Sequence, residues 1–135
     1  MKKILFVWCV LFLNSAVADW IPFLGYSNED PAMLYVDADK IEKKNNIAKL
    51  WEKTVFRKIQ TLEGSTYKVR VTLSEYDCKK KEVKVVYAGL YKDEAMQEPL
   101  WFGNVNYNAI PITPGSYAET TGELACTYSP KKKTK

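Results

Sequence analysis

With no histidine anywhere in its 135 residues, this chain must draw any chemistry from cysteines, carboxylates, hydroxyls and aromatic rings. Ser-His-Asp and Cys-His nucleophile pairs are excluded at once, because each needs imidazole as the base. Of the cysteines, Cys9 sits in an apolar N-terminal run, leaving Cys78 and Cys126. They form no C-x-x-C, and no histidine exists to complete a zinc set, so a redox or metal role has little support. In an oxidising compartment an even pair is expected as a disulfide. Closing a loop of about 49 residues, it would be worth about 4 kcal/mol on the chain-entropy model. Asp37 and Asp39, two apart, would share a strand face and could hold a cation. No third and fourth oxygen ligand is spaced to help, and surface acids at a strand end explain them as well. Asp93 and Glu94 read as a loop pair. No catalytic residue, metal site or cofactor is expected.

The compartment follows from the N-terminus. Lys2 and Lys3 precede an apolar run of ten residues, Ile4 to Leu13, and then Ser15-Ala16-Val17-Ala18. That order is the pattern of a cleavable secretory signal, with Asp19 as the first mature residue. Ten apolar residues are too few to cross a bilayer, which takes about 20. The mature form is therefore expected to lack a transmembrane segment. Cys9 follows Trp8 in mid-run, away from the cleavage site, so no lipid anchor is expected. The chain divides into a signal peptide (1–18), one domain (19–130) and a basic tail (131–135). Periplasmic, secreted and surface-associated destinations all remain open.

The tail explains the charge. Lys2, Lys3 and the four tail lysines, Lys131, Lys132, Lys133 and Lys135, hold six of the 20 basic residues. Residues 19–130 keep 14 against 16 acidic ones. A near-neutral body argues against specific nucleic-acid binding, which needs a basic stripe on the domain. The tail reads as a solvated terminus or as a weak, salt-sensitive contact with acidic surfaces such as lipopolysaccharide or anionic lipid.

The elements that must carry these residues are mostly strands. Residues 19–33 look irregular, with Trp20, Phe23 and Tyr26 pinning an arm to the body. Met33 to Val36 reads as a short strand ending at Asp37, and Lys43-Lys44-Asn45-Asn46 as a polar turn. Residues 47–57 fit either period; Thr54-Val55-Phe56 favours strand. After a turn at Glu63-Gly64-Ser65, Tyr67, Val69, Val71 and Leu73 alternate with polar residues. Residues 74–81 read as the crossing to the next strand. Val83, Val85, Tyr87, Gly89 and Tyr91 alternate again, and Leu100-Trp101-Phe102 opens another strand. Two prolines bar regular structure through Ile110–Gly115. Ser116 and Glu119 then form a capping box for a helix ending near Cys126. Its inner face would carry Tyr117, Thr121 and Leu124, with Ala118 beside them, and Gly122 would weaken its middle. The expected fold is α+β: a small antiparallel sheet of four to five strands, a short C-terminal helix and one disulfide.

Motif order adds a resemblance. Tyr76-Asp77-Cys78-Lys79 before a strand, Ile110-Pro111-Ile112-Thr113-Pro114-Gly115-Ser116 before a helix, and Cys126 at its end resemble the surface-adhesin protein E family of bacterial envelope proteins. Val36-Asp37, a polar turn and Lys49-Leu50-Trp51 are similar to its early strands. The likeness spans about residues 33–128. It implies an antiparallel sheet packed by a C-terminal helix, a cysteine pair at Cys78 and Cys126, and adhesion to host matrix or plasma proteins. No catalytic motif of the family falls on any residue here.

The expected function is an exported envelope module, adhesion-like, acting by protein–protein contact with an envelope or host-matrix partner. The alternative is a periplasmic accessory protein or a carrier of a small apolar ligand. Aromatics dominate the energetic centres of interfaces but also fill small β cores. Trp51, in the longest apolar run, is assigned to the core. Trp101 and Phe102 are consecutive and so point to opposite faces of a strand, leaving one exposed. The segment from Trp101 through Phe102 to Tyr107 is the candidate contact surface. A free strand edge also leaves a homodimer open.

Overall fold

The computed structural model describes residues 19–24 and 31–128. The expected signal peptide, Tyr26 and the lysine tail lie outside the described residues.

Among the described residues, eight strands form one antiparallel sheet: β1 (Ile21–Leu24), β2 (Ala32–Val36), β3 (Glu42–Lys44), β4 (Ile47–Leu62), β5 (Ser65–Asp77), β6 (Glu82–Tyr91), β7 (Pro99–Asn104) and β8 (Ile110–Pro111). One helix, α1 (Tyr117–Thr127), follows. The expected four to five strands are therefore too few. The long strands β4, β5 and β6 carry the sheet, and the extra ones are short pieces paired along them.

Each short strand lies where composition hides it. β1 pairs with β2 inside the arm that looked irregular, with Pro22 tolerated because β1 is an outer strand. Lys43 and Lys44, expected in a turn, belong to β3; only Asn45 and Asn46 turn the chain back into β4. β2 and β3 run in series along one edge of β4, interrupted by a 3₁₀ turn at Ala38–Lys40. On the far side, β7 and β8 run in series along β6. Pro111 occupies a ladder position opposite Glu82, so the prolines exclude length rather than pairing.

The β4–β5 hairpin turns at Glu63-Gly64, both at positive φ (49° and 80°). That is the geometry a two-residue hairpin loop with the right twist demands. β5 continues to Asp77, into the stretch 74–81 expected to be the crossing.

Alternation along β6 is broken once. Tyr87 pairs with Leu73 but Val85 pairs with Ser74, so Val86 is the extra residue of a bulge. Val83 and Val85 consequently share a face with Ala88 and Leu90, while Tyr87, Gly89 and Tyr91 turn to the other.

Each face has its own apolar cluster. Under α1 lie Val36, Ile41, Ala48, Leu50 and Tyr76, closed by Ala125. On the opposite face Val55, Val69 and Val71 are flanked by Trp20, Met33, Tyr35, Trp51, Tyr91 and Met96. Trp51 is only partly buried there, edge-on to Tyr87 at 5.3 Å between ring centroids. Lys53 reaches over the rings of Tyr35 and Trp20, at 4.5 and 5.2 Å from their centroids.

Helix α1 starts as the capping box requires, with one change. Ser116 Oγ accepts the Glu119 amide at 3.3 Å, while the Glu119 carboxylate accepts the Gly115 amide at 3.4 Å rather than that of Ser116. Gly115, at φ 78°, supplies the turn that aims its amide there. At the other end Lys43 donates to the Cys126 carbonyl, a cation placed at the negative end of the helix dipole. Cys126 is disulfide-bonded to Cys78 in the β5–β6 turn, with Cα atoms 5.8 Å apart. Replacing both cysteines by serine is expected to lower unfolding free energy by about 2–4 kcal/mol. A reduced urea midpoint would show it; an unchanged midpoint would mean that packing alone holds the helix.

Candidate functional site

On the helix side, the antiparallel pairing aligns Glu52 with Thr72, Leu50 with Ser74 and Ala48 with Tyr76. Cross-strand partners share a face, so a carboxylate and three hydroxyls converge beneath the start of α1. Glu52 is 9% exposed. Its Oε2 accepts from Ser74 Oγ at 2.6 Å and from Thr72 Oγ1 at 3.4 Å. Its Oε1 accepts from Tyr76 Oη at 2.6 Å. Tyr76 Oη also lies 2.7 Å from Thr121 Oγ1 on the helix, and the Thr121 hydroxyl lies 2.9 Å from the Tyr117 carbonyl. Burial pushes the Tyr76 phenol well above its ordinary range, and the Glu52 charge and the hydrogen bond to it add to the rise.

Helix and sheet meet at a glycine. A Cβ on Gly122 would lie 3.0 Å from Tyr76 Cδ1 and 3.5 Å from Ile112 Cδ1. Gly122, read from sequence as a weak point, is what allows the helix to sit on the Tyr76 ring. The inner face is Thr121, Gly122 and Ala125, with Leu124 at its margin. Tyr117, expected inside, is 54% exposed.

Beyond the helix the same face is uncovered. It forms a groove of about 830 Å³ with Glu52, Thr72 and Ser74 on its floor. Leu34, Phe56, Val85 and Leu90 also line it, as do the exposed rings of Trp101, Tyr107 and Tyr117. Arg70 lines the same groove, with its guanidinium 5.4 Å from the Phe56 ring centroid, and makes no ion pair with Glu52.

The candidate contact residues lie beside this groove. Trp101 pairs with Leu90 and so faces it, whereas Phe102 pairs with Gly89 and faces the other way. The expectation of one exposed ring is corrected: Trp101 is 46% and Phe102 60% exposed, because no strand pairs beyond β7 among the described residues. Tyr107, 60% exposed, follows in the connection to β8.

The first acidic pair comes apart. Asp37, expected at the surface, is 1% exposed, while Asp39 is exposed within the 3₁₀ turn rather than beside it on a strand. The ladder break at 38–40 folds Asp37 inward, where Lys40 Nζ lies 3.7 Å from its carboxylate. Asp93 Oδ1 accepts the Ala95 amide in the β6–β7 loop. No group of three or more metal-ligating side chains occurs among the described residues. Sequence reading missed Glu52 and its hydroxyls; the signal present was the polar set that alternates with Val69, Val71 and Leu73, Thr72 among it, which alternation assigns to water.

A family model described as surface-adhesin protein E matches residues 20–127. The chain belongs to the surface-adhesin protein E family. Among solved structures, the crystal structure of protein E from non-typeable Haemophilus influenzae is similar at 10% identity. The match covers 80% of this chain and 84% of that one, with a TM-score of 0.50. At that identity the likeness speaks for a shared fold. No curated protein matches the sequence. Membership in the surface-adhesin protein E family agrees with a bacterial envelope protein that is rich in β structure and disulfide-bonded. No helix among the described residues is long and apolar enough to cross a membrane.

Two measurements test the anchor of this site. Gly122→Ala gains about 1 kcal/mol in helix propensity, yet the contact with Tyr76 is expected to turn this into a net loss of about 1 kcal/mol. A stabilised variant would mean that the ring yields without cost. The second test is alkaline. The ordinary tyrosine value is 10.0, and Tyr76 is raised above it in the folded state. As pH rises past that value the unfolded chain releases the proton and the folded one keeps it. The unfolded state then binds fewer protons, so stability falls with rising pH. Urea midpoints taken between about pH 9 and 11 should fall more steeply in wild type than in Tyr76→Phe.

Proposed function

We propose that this protein is an exported, non-catalytic binding module of the bacterial envelope, adhesion-like, that engages a protein partner through the outer edge of β7. The observation that carries the reading is that edge itself. β7 ends the sheet with no strand beyond it among the described residues, and it exposes Leu100, Trp101 and Phe102. An unpaired strand offers main-chain donors and acceptors to an incoming segment, and large rings on both faces add anchoring pockets. Exposed apolar residues gathered on one edge are a mark of an interaction site. Family membership supports the same class of activity, and the signal-like N-terminus supports export. The alternative of an apolar-ligand carrier calls for a closed aromatic cavity. The groove is open and has a carboxylate on its floor, which favours the contact reading.

Cell fractionation followed by binding to immobilised host-matrix and envelope proteins tests this. The mature protein is expected at the cell surface or in the medium, with saturable binding to a protein ligand. Leu100→Lys/Phe102→Lys, which alters the edge but not the groove, should weaken that binding by about tenfold or more. Its urea midpoint should stay close to wild type. Confinement to soluble periplasm, or a double variant that binds as well as wild type, would overturn the proposal.

A further inference from the structure

The Glu52 carboxylate has hydrogen-bond donors but no ion pair among the described residues. Its three partners are the neutral hydroxyls of Thr72, Ser74 and Tyr76. The ion pairs found among the described residues involve Asp37 and Glu75, not Glu52. The one guanidinium on the groove, Arg70, stacks on Phe56 instead. An ionised carboxylate accepts at about four lone-pair positions, and the 3.4 Å contact from Thr72 is long. A buried anion without a cation is costly to keep. Here it lines an open groove whose other residues are mostly apolar or aromatic, with Arg70 and Glu63 the other charged groups on it.

We propose that the groove binds an organic cation with an apolar body, a primary amine whose ammonium pairs with Glu52. Ser74 and Tyr76 hold the carboxylate in place while it receives the ammonium on its free lone pair. The apolar body runs over Leu90 toward Trp101, which covers it from the edge of the sheet. A volume of about 830 Å³ is within the range of small-molecule sites, roughly 300–1,000 Å³. Charge complementarity selects the class of ligand: an anionic head would meet Glu52 with like charge, and a neutral head would leave the buried charge unpaired. The two sites share Trp101, but the edge is tested through Leu100 and Phe102 and the groove through Glu52, so either proposal can fail without the other.

The test uses 4-phenylbutylamine, its N-acetyl derivative and 4-phenylbutyrate, titrated into the mature protein and followed by tryptophan fluorescence and amide chemical shifts. The amine is expected to bind saturably, shifting amides around Glu52, Ser74 and Leu90. The acetylated and carboxylate analogues should bind about tenfold or more weakly, since each lacks the charge-assisted hydrogen bond. Glu52→Gln should abolish the preference for amine over amide. The comparison of three ligands on the wild-type protein stands even where that variant fails to fold. Equal binding of amine and amide, tighter binding of the carboxylate, or no saturable binding of the amine would overturn the inference.

Discussion

The contact between Gly122 and the ring of Tyr76 is the constraint on which the arrangement depends. It brings α1 down on the sheet closely enough for the Tyr76 hydroxyl to meet Thr121 on one side and Glu52 on the other. Leaving a buried polar group without its hydrogen bonds is costly, so helix placement and burial of the Glu52 carboxylate support each other. Moving the helix outward by one methyl group would open the Tyr76–Thr121 bond and leave the Glu52 cluster less sealed. The disulfide and the Lys43 contact then hold the far end of the helix, where Tyr76 has no reach.

The groove follows from a mismatch of lengths. Eleven helical residues span about 16 Å, whereas the sixteen residues of β4 span about 50 Å. The helix therefore covers only the Ile47–Leu50 end, and the rest of that face has no layer above it. Glu52 lies just where cover stops, near enough to the helix to be buried and near enough to the opening to line it. The opposite face meets the same shortage differently. Trp20 from the N-terminal arm and Met96 from the β6–β7 loop fold over it. Lys53 lays its stem across the rings, where burial lowers its ammonium pKa against the opposing pull of Glu94.

Much of this was legible in sequence, and the parts that were not share a cause. Period-two alternation in 67–73 and the Ser116–Glu119 cap are local patterns, and both elements lie where those patterns put them. Composition alone misses strands of two to four residues, because Ile110–Pro111 or Glu42–Lys44 becomes a strand only by pairing with a long neighbour. A bulge is invisible for a related reason. Val83 to Tyr91 reads as one alternating face, yet the extra residue at Val86 sends Tyr87 and Tyr91 away from Val83 and Val85. The Glu52 site was hidden most completely, since its members come from β4, β5 and α1 and meet only through register. Glu52 taken singly is one acidic residue among sixteen.

Distant kinship limits what the fold can say about activity. Ten per cent identity with protein E over 80% of the chain means that the fold is shared while most side chains differ. A scaffold under that rule tolerates almost any residue on an uncovered face or an outer strand, so those are the places where relatives can diverge in what they bind. In this chain they hold a charged floor and an aromatic rim. Trp101 stands at the boundary of the two, on the outer strand but facing the groove. Any segment added along β7 would lengthen the wall that Trp101 already forms, whereas Phe102 would meet that segment from the side the groove does not reach. Recognition in this protein therefore has to be argued from Glu52, Trp101 and Phe102 themselves, since the inherited sheet positions them without specifying what they meet.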